Sequence, residues 1–194
     1  LPPTDIAITL TADPTFSVPA NTSIVGVPGA SRILLSSSNN DVGVGFAQSV
    51  GDNVAFEGIT FIRSTNCTIF CIFGPRNDGF HIRNCVVDGQ QDTFESPKTM
   101  HCILTAYAGT KKNITVRGST IKRLNFGFIQ GNATLDTCEN ILVDDCNFSG
   151  NVGDDLLFNA PLTDITNVTV SNCRFTDHAS TSSPGGVAVD FAHV

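Results

Sequence analysis

One nine-residue phrase recurs five times in this chain and restricts its fold more than any other feature. It reads NVAFEGITF at 53–61, GFHIRNCVV at 79–87, NITVRGSTI at 113–121, NILVDDCNF at 140–148 and NVTVSNCRF at 167–175. Apolar and polar residues alternate, break at a two-residue corner, and resume with the same residues facing in. In the fourth copy these are Ile141 and Val143, then Cys146 and Phe148. Such alternation is the period of a β-strand. The starts lie 26, 34, 27 and 27 residues apart. A period of that size marks a solenoid, in which each repeat buries its apolar face only against its neighbours. The second corner position is Gly58, Asn84, Gly118, Asp145 and Asn172 in turn. These residue types best tolerate the left-handed backbone that a sharp bend requires.

A third apolar run precedes each next phrase, at 42–46, 68–73, 102–106, 126–129, 156–158 and 187–191. Three strands per coil, each laid parallel on its counterpart one coil away, predict an all-β, right-handed parallel β-helix with about 26–27 residues per coil. Its interior columns are Val54/Ile114/Ile141/Val168 and Phe61/Val87/Ile121/Phe148/Phe175. Asn53, Asn113, Asn140 and Asn167 recur at one position and read as a hydrogen-bonding column rather than as glycosylation acceptors. Cys85, Cys146 and Cys173 share another position with Ile59 and Ser119, where cysteine acts as a small hydrophobe. Cys146 and Cys173, one coil apart, approach disulfide range. Free, stacked thiols are nevertheless expected.

One β-helix domain is expected over residues 1–194, with irregular entry coils at 1–52 and regular coils at 53–194. In the entry region, 5–16 reads as a strand, and two short apolar runs flank the turn at Val27-Pro28-Gly29. Neither end offers a polar cap. The expectation is a piece of a longer chain, capped by adjoining domains or by partner subunits in a homotrimer. The net charge of −7, with the 11 lysines and arginines scattered, argues against a nucleic-acid partner. No apolar run reaches membrane-spanning length. Seven cysteines leave at least one without a partner in the chain, and no CxxC pair or His/Cys cluster suggests a zinc site.

Period, corner residues and interior columns together resemble the pectate-lyase-like superfamily over residues 22–194. The resemblance implies a module that works on or binds polysaccharide, but not which one. That superfamily spans lyases, glycoside hydrolases, epimerases, esterases, adhesins and phage tailspikes. Length variation concentrates in the loop between the second and third strands, the edge where such repeats carry function. There, Gly153-Asp154-Asp155 resembles the paired-aspartate motif of polygalacturonase-type hydrolases, in which the carboxylates act as general acid and base. Where those enzymes carry an acid one coil earlier, the matching stretch Leu124-Asn125-Phe126-Gly127 holds none. Gly89-Gln90-Gln91-Asp92-Thr93-Phe94 resembles a pectin methylesterase motif, but the nucleophile position again holds Asn125. Adjacent carboxylates entering a strand point to opposite faces, so one of Asp154 and Asp155 should meet solvent. The alternative reading of the pair is a polar turn whose carboxylates cap backbone amides.

Candidate catalytic residues are therefore Asp154, Asp155 and His178. Candidate glycan contacts are Lys122, Arg123, Asn125, Asp177 and Asp92, suited to an acidic sugar. His81 and His101 read as structural, and the single Tyr107 makes no stacking platform. No cofactor is expected. Calcium is the one ion the resemblance would add, held by acidic residues. Two readings follow. One is a surface module at the cell exterior or virion surface, of tailspike, tail-fibre or adhesin type. The other is a polysaccharide-active enzyme using the edge at Asp154, Asp155 and His178.

Overall fold

The computed structural model describes residues 1–10, 16–37, 45–64, 71–90, 101–105, 109–130, 136–159, 165–177 and 187–192. They form twenty strands and no helix. Sheet A contains β1 (Asp5–Leu10), β4 (Arg32–Ser37), β7 (Thr60–Arg63), β10 (Val86–Asp88), β13 (Thr120–Lys122), β16 (Asn147–Ser149) and β19 (Arg174–Thr176). Sheet B contains β2 (Phe16–Val18), β5 (Gly45–Ser49), β8 (Cys71–Gly74), β11 (His101–Leu104), β14 (Phe126–Gln130), β17 (Leu156–Asn159) and β20 (Val189–Ala192). Sheet C contains β3 (Thr22–Val25), β6 (Val54–Glu57), β9 (Phe80–Arg83), β12 (Gly109–Arg117), β15 (Asp136–Asp144) and β18 (Ile165–Ser171). The chain visits A, B and C in rotation, and paired strands within each sheet are parallel. This is the expected β-helix with three strands per coil.

Register carries each residue onto its equivalent one coil on. Phe61, Val87, Ile121, Phe148 and Phe175 stack in sheet A. Ile114, Ile141 and Val168 stack in sheet C. All but Val168 and Phe175, which lie in the last coil and are partly buried, are at most 1% exposed. Because strands bond only to neighbouring coils, a column works only when like side chains pack on like. Phe56, Phe61, Phe73 and Phe80 form one aromatic cluster, with Phe56 and Phe73 centroids 4.8 Å apart. Phe148 and Phe175 are stacked at 5.1 Å. Each fully buried phenylalanine contributes about 2–3 kcal/mol from removal of apolar surface.

The corners explain the residue choice seen in the sequence. Gly58, Asn84, Gly118, Asp145 and Asn172 all have positive φ, between 52° and 66°. So do Asn21, Asn53 and Gly79, which lead directly into sheet C strands, and Asn113, Asn140 and Asn167, which lie within β12, β15 and β18. Their amides form a ladder: Asn53 Nδ2 donates to Asn21 Oδ1 (3.1 Å), Asn140 to Asn113 (3.2 Å) and Asn167 to Asn140 (3.0 Å). The cysteine column is interior, and its thiols are free. It is more than a set of small hydrophobes. The thiols of Cys85, Cys146 and Cys173 donate to the carbonyls two residues back at 3.1–3.3 Å, as the Ser119 hydroxyl does at 2.9 Å. Burial pushes the Cys85 thiol up to about 11 and that of Cys146 to about 12.

Residues before Asn53 enter the same three sheets, with Asn21 at the foot of the asparagine ladder. Their departure from the repeat is local. The sheet C to sheet A corner is Gly26–Ser31 in the first coil and only Gly58-Ile59 in the next. The strand expected over 5–16 contributes β1 to sheet A and the start of β2 to sheet B, with residues 11–15 outside the described residues, as are residues 42–44, 68–70 and 106 of the expected third strands.

Two substitutions test these stacks. Phe148→Asp places an unpaired charge in the column and should cost more than about 3 kcal/mol in urea denaturation; an unchanged midpoint would place Phe148 outside it. Asn140→Gly keeps the left-handed corner but removes the amide rungs, and should cost about 1 kcal/mol, with Asn140→Ala costing about 2 kcal/mol because it adds backbone strain. Equal costs would mean that backbone conformation adds nothing.

Candidate functional site

The loop from sheet A to sheet B is where the coils differ most. β13 ends at Lys122, and Arg123 turns the chain with φ 53°. Asp88 closes β10 in register with Lys122 on the next coil. Its carboxylate accepts from Arg123 Nε at 2.9 Å and from an Arg123 terminal nitrogen at 2.5 Å. Lys122 Nζ lies 3.3 Å away, and the Gln90 amide donates at 3.0 Å. Burial alone would raise the Asp88 pKa. Hydrogen bonds from Arg123 and Gln90, with the charges of Lys122 and Arg123, outweigh burial and hold it below the usual carboxylate value. The acid is sheltered at 10% side-chain exposure, while Lys122 and Arg123 remain 36% and 39% exposed. Gly89 is required beside them. A Cβ there would lie 2.2 Å from the Arg123 carbonyl oxygen.

One coil further on, Gly150 turns the chain beneath Arg123, and a Cβ placed on it would lie 3.5 Å from Arg123 Cγ. Asn151 then points inward and is wholly buried. Its Oδ1 accepts from the Leu124 amide at 3.0 Å. Its Nδ2 donates to the Ile121 carbonyl at 3.3 Å and to Asp155 Oδ1 at 2.6 Å. One side chain thus joins two coils and fixes Asp155.

The structure divides the expected acid–base pair. Asp155 is 0% exposed and bound to Asn151. Asp154 is partly exposed, and its Oδ1 accepts from the Val187 backbone amide at 2.9 Å. The expected alternation between faces is present, and the inward carboxylate is sealed from solvent. Asn125, expected to contact a glycan, is also 0% exposed. Its carbonyl accepts from the Gly153 amide at 2.7 Å, and its side-chain oxygen and nitrogen have no hydrogen-bond partner among the described residues. Asp177 is exposed, has φ 57°, and follows the strand that pairs beside Gly150. Lys122, Arg123 and Asp177 therefore share this edge, whereas Asp155 and Asn125 lie beneath it. Asp92 and His178 lie outside the described residues, as does Tyr107.

Sequence reasoning missed Asp88 and Asn151. Asp88 could have been found from its register with Lys122, because a carboxylate and an ammonium one coil apart face each other. Asn151 carries no comparable signal. Among the described residues, no group of three or more His, Cys, Asp or Glu side chains is placed to hold a metal ion, and no helix is long and apolar enough to cross a membrane. In sheet B, buried His101 packs against Phe126, with the rings tilted and their centroids 5.2 Å apart. Burial lowers its pKa from 6.5 to about 4. Comparison with protein-family models, curated proteins and solved structures returns no match for this chain.

His101 gives the fold an acid-sensitive window. Its folded pKa is below its unfolded value, so the unfolded chain binds the proton first. Stability is full above pH 6.5 and falls as pH drops toward 4, by up to about 3 kcal/mol. Urea denaturation across that range should show the slope, and His101→Phe should flatten it. An unchanged slope would assign the effect to other groups. Asp88 acts later: its depressed pKa adds a loss that begins only below the unfolded value of 3.8.

Proposed function

We propose that this chain is a polysaccharide-binding surface module of the pectate-lyase-like β-helix type, as in tailspikes, tail fibres and adhesins. In this reading it works outside the cell or on a virion. It meets an acidic glycan along the sheet A to sheet B edge. The observation that carries the reading is the fate of the two aspartates. A general acid and base must both reach the substrate. Here Asp155 is wholly buried against Asn151, and Asp154 is occupied by the Val187 amide. What the edge offers instead is exposed cationic surface, Lys122 and Arg123, held by a sheltered Asp88. Arginine recognises carboxylates through paired hydrogen bonds, and lysine acts as a point charge. The stacked coils add a rigid platform that needs little reordering on binding.

The test is incubation with a panel of acidic polysaccharides, reading binding by affinity electrophoresis and cleavage by new reducing ends and unsaturated-sugar absorbance. The expected result is retardation without product. Lys122→Ala should weaken retardation about tenfold, as loss of one exposed charge contact. Product that disappears in Asp154→Asn or Asp155→Asn would establish the enzyme reading instead. Equal mobility in every polysaccharide would end the binding reading.

A further inference from the structure

The outward face where sheet C turns into sheet A holds a groove of about 420 Å³, at a different corner of the prism from the edge just described. It is lined by Arg83, Asn84, Thr115, Arg117, Leu142 and Asp145, with Gly118 at the turn. Arg83 closes β9 and Arg117 closes β12 in direct register. Their side chains therefore leave neighbouring coils about 4.8 Å apart. Arg117 approaches Asp144 through Nε at 3.1 Å, which leaves its terminal nitrogens as further donors. Asp144 is itself fixed by Ser171 and Asn172 at 2.8 and 2.9 Å. Arg83 is exposed and makes no ion pair among the described residues. Its charge is felt nearby: burial first, then Arg83, lowers the pKa of His81, the register partner of Thr115. A Cβ on Gly118 would meet Asn84 Oδ1 at 2.5 Å, so the missing side chain makes room for the Asn84 amide. Leu142, one coil beyond Thr115 in the same outward column, adds apolar surface to a polar groove.

We propose that this groove is a separate subsite for a single sugar residue carrying a carboxylate, a hexuronic acid. The two arginines supply a fork for the carboxylate. Asn84 and Asp145 offer both donor and acceptor atoms for ring hydroxyls. Leu142 faces the apolar side of the ring. Asp145 also makes the site selective. Its charge opposes a bare anion and favours a ligand that joins an anionic group to hydroxyls. The subsite does not depend on the binding role of the other edge.

Titration of sodium glucuronate into the isotope-labelled 194-residue chain, followed by amide resonances, tests this. Saturable shifts are expected at Asn84, Thr115, Arg117 and Leu142. Glucose and inorganic sulfate should each bind about tenfold more weakly, and Arg83→Gln should weaken glucuronate by about tenfold. Lys122→Ala, at the other edge, should leave these shifts unchanged, so failure of one site is distinguishable from failure of the other. Arg83 is exposed, and the spectrum itself reports whether the variant folds. The proposal is overturned by absence of saturable shifts at the groove. It is equally overturned by sulfate or glucose binding as well as glucuronate, or by an Arg83→Gln variant that binds normally.

Discussion

Parallel, in-register stacking is the constraint on which the rest of this structure depends. Every strand hydrogen-bonds only to the coils on either side, so each position meets its own equivalent one coil away. A position is acceptable only if its residues tolerate their own kind as neighbours. Apolar columns satisfy this by packing, as Phe148 does on Phe175. Asparagine satisfies it because one amide carries both a donor and an acceptor, so the ladder through Asn113, Asn140 and Asn167 can extend itself. Charged positions satisfy it where opposite signs meet, as Asp88 does with Lys122 and Arg117 with Asp144; the like-charged neighbours Arg83 and Arg117 are flanked in register by Glu57 and Asp144.

The corners are the second condition. A coil must turn sharply three times, and two of the turns use a left-handed residue in nearly every coil. Glycine reaches that region freely, and asparagine and aspartate reach it at lower cost than other residues. The third turn, from sheet A to sheet B, obeys no fixed length. It carries left-handed Gln90, Arg123, Gly150 and Asp177. Freed from the two-residue rule, this edge can present cations on one coil and fold carboxylates inward on the next.

Much of the fold was legible because stacking writes itself into the sequence as a period. The corner residues, the phenylalanine column and the asparagine ladder all follow from one alignment of the repeats. The entry region read as irregular because the insertion at Gly26–Ser31 displaces the phrase, although β3 and β4 pair in register with β6 and β7. The site was less legible. Alternation along the strand correctly divides Asp154 from Asp155, but it does not reveal that Asn151 closes over the inward carboxylate. That contact comes from the shape of a variable loop, which has no equivalent in other coils to compare. Asn125 was misplaced for the same reason. As the stand-in for a catalytic acid it should lie at the surface, yet the structure places it beneath the edge.

In the proposed function the aspartates of this edge are scaffold and its exposed cations do the recognition. Hydrogen exchange of the Asn151 side-chain amide tests this most directly, because that group is buried between Leu124, Ile121 and Asp155 only if the carboxylate is locked. Protection like that of the central strand amides of β13 and β16 is expected. Exchange at the rate of an exposed side-chain amide would contradict it and leave Asp155 free to act on a substrate.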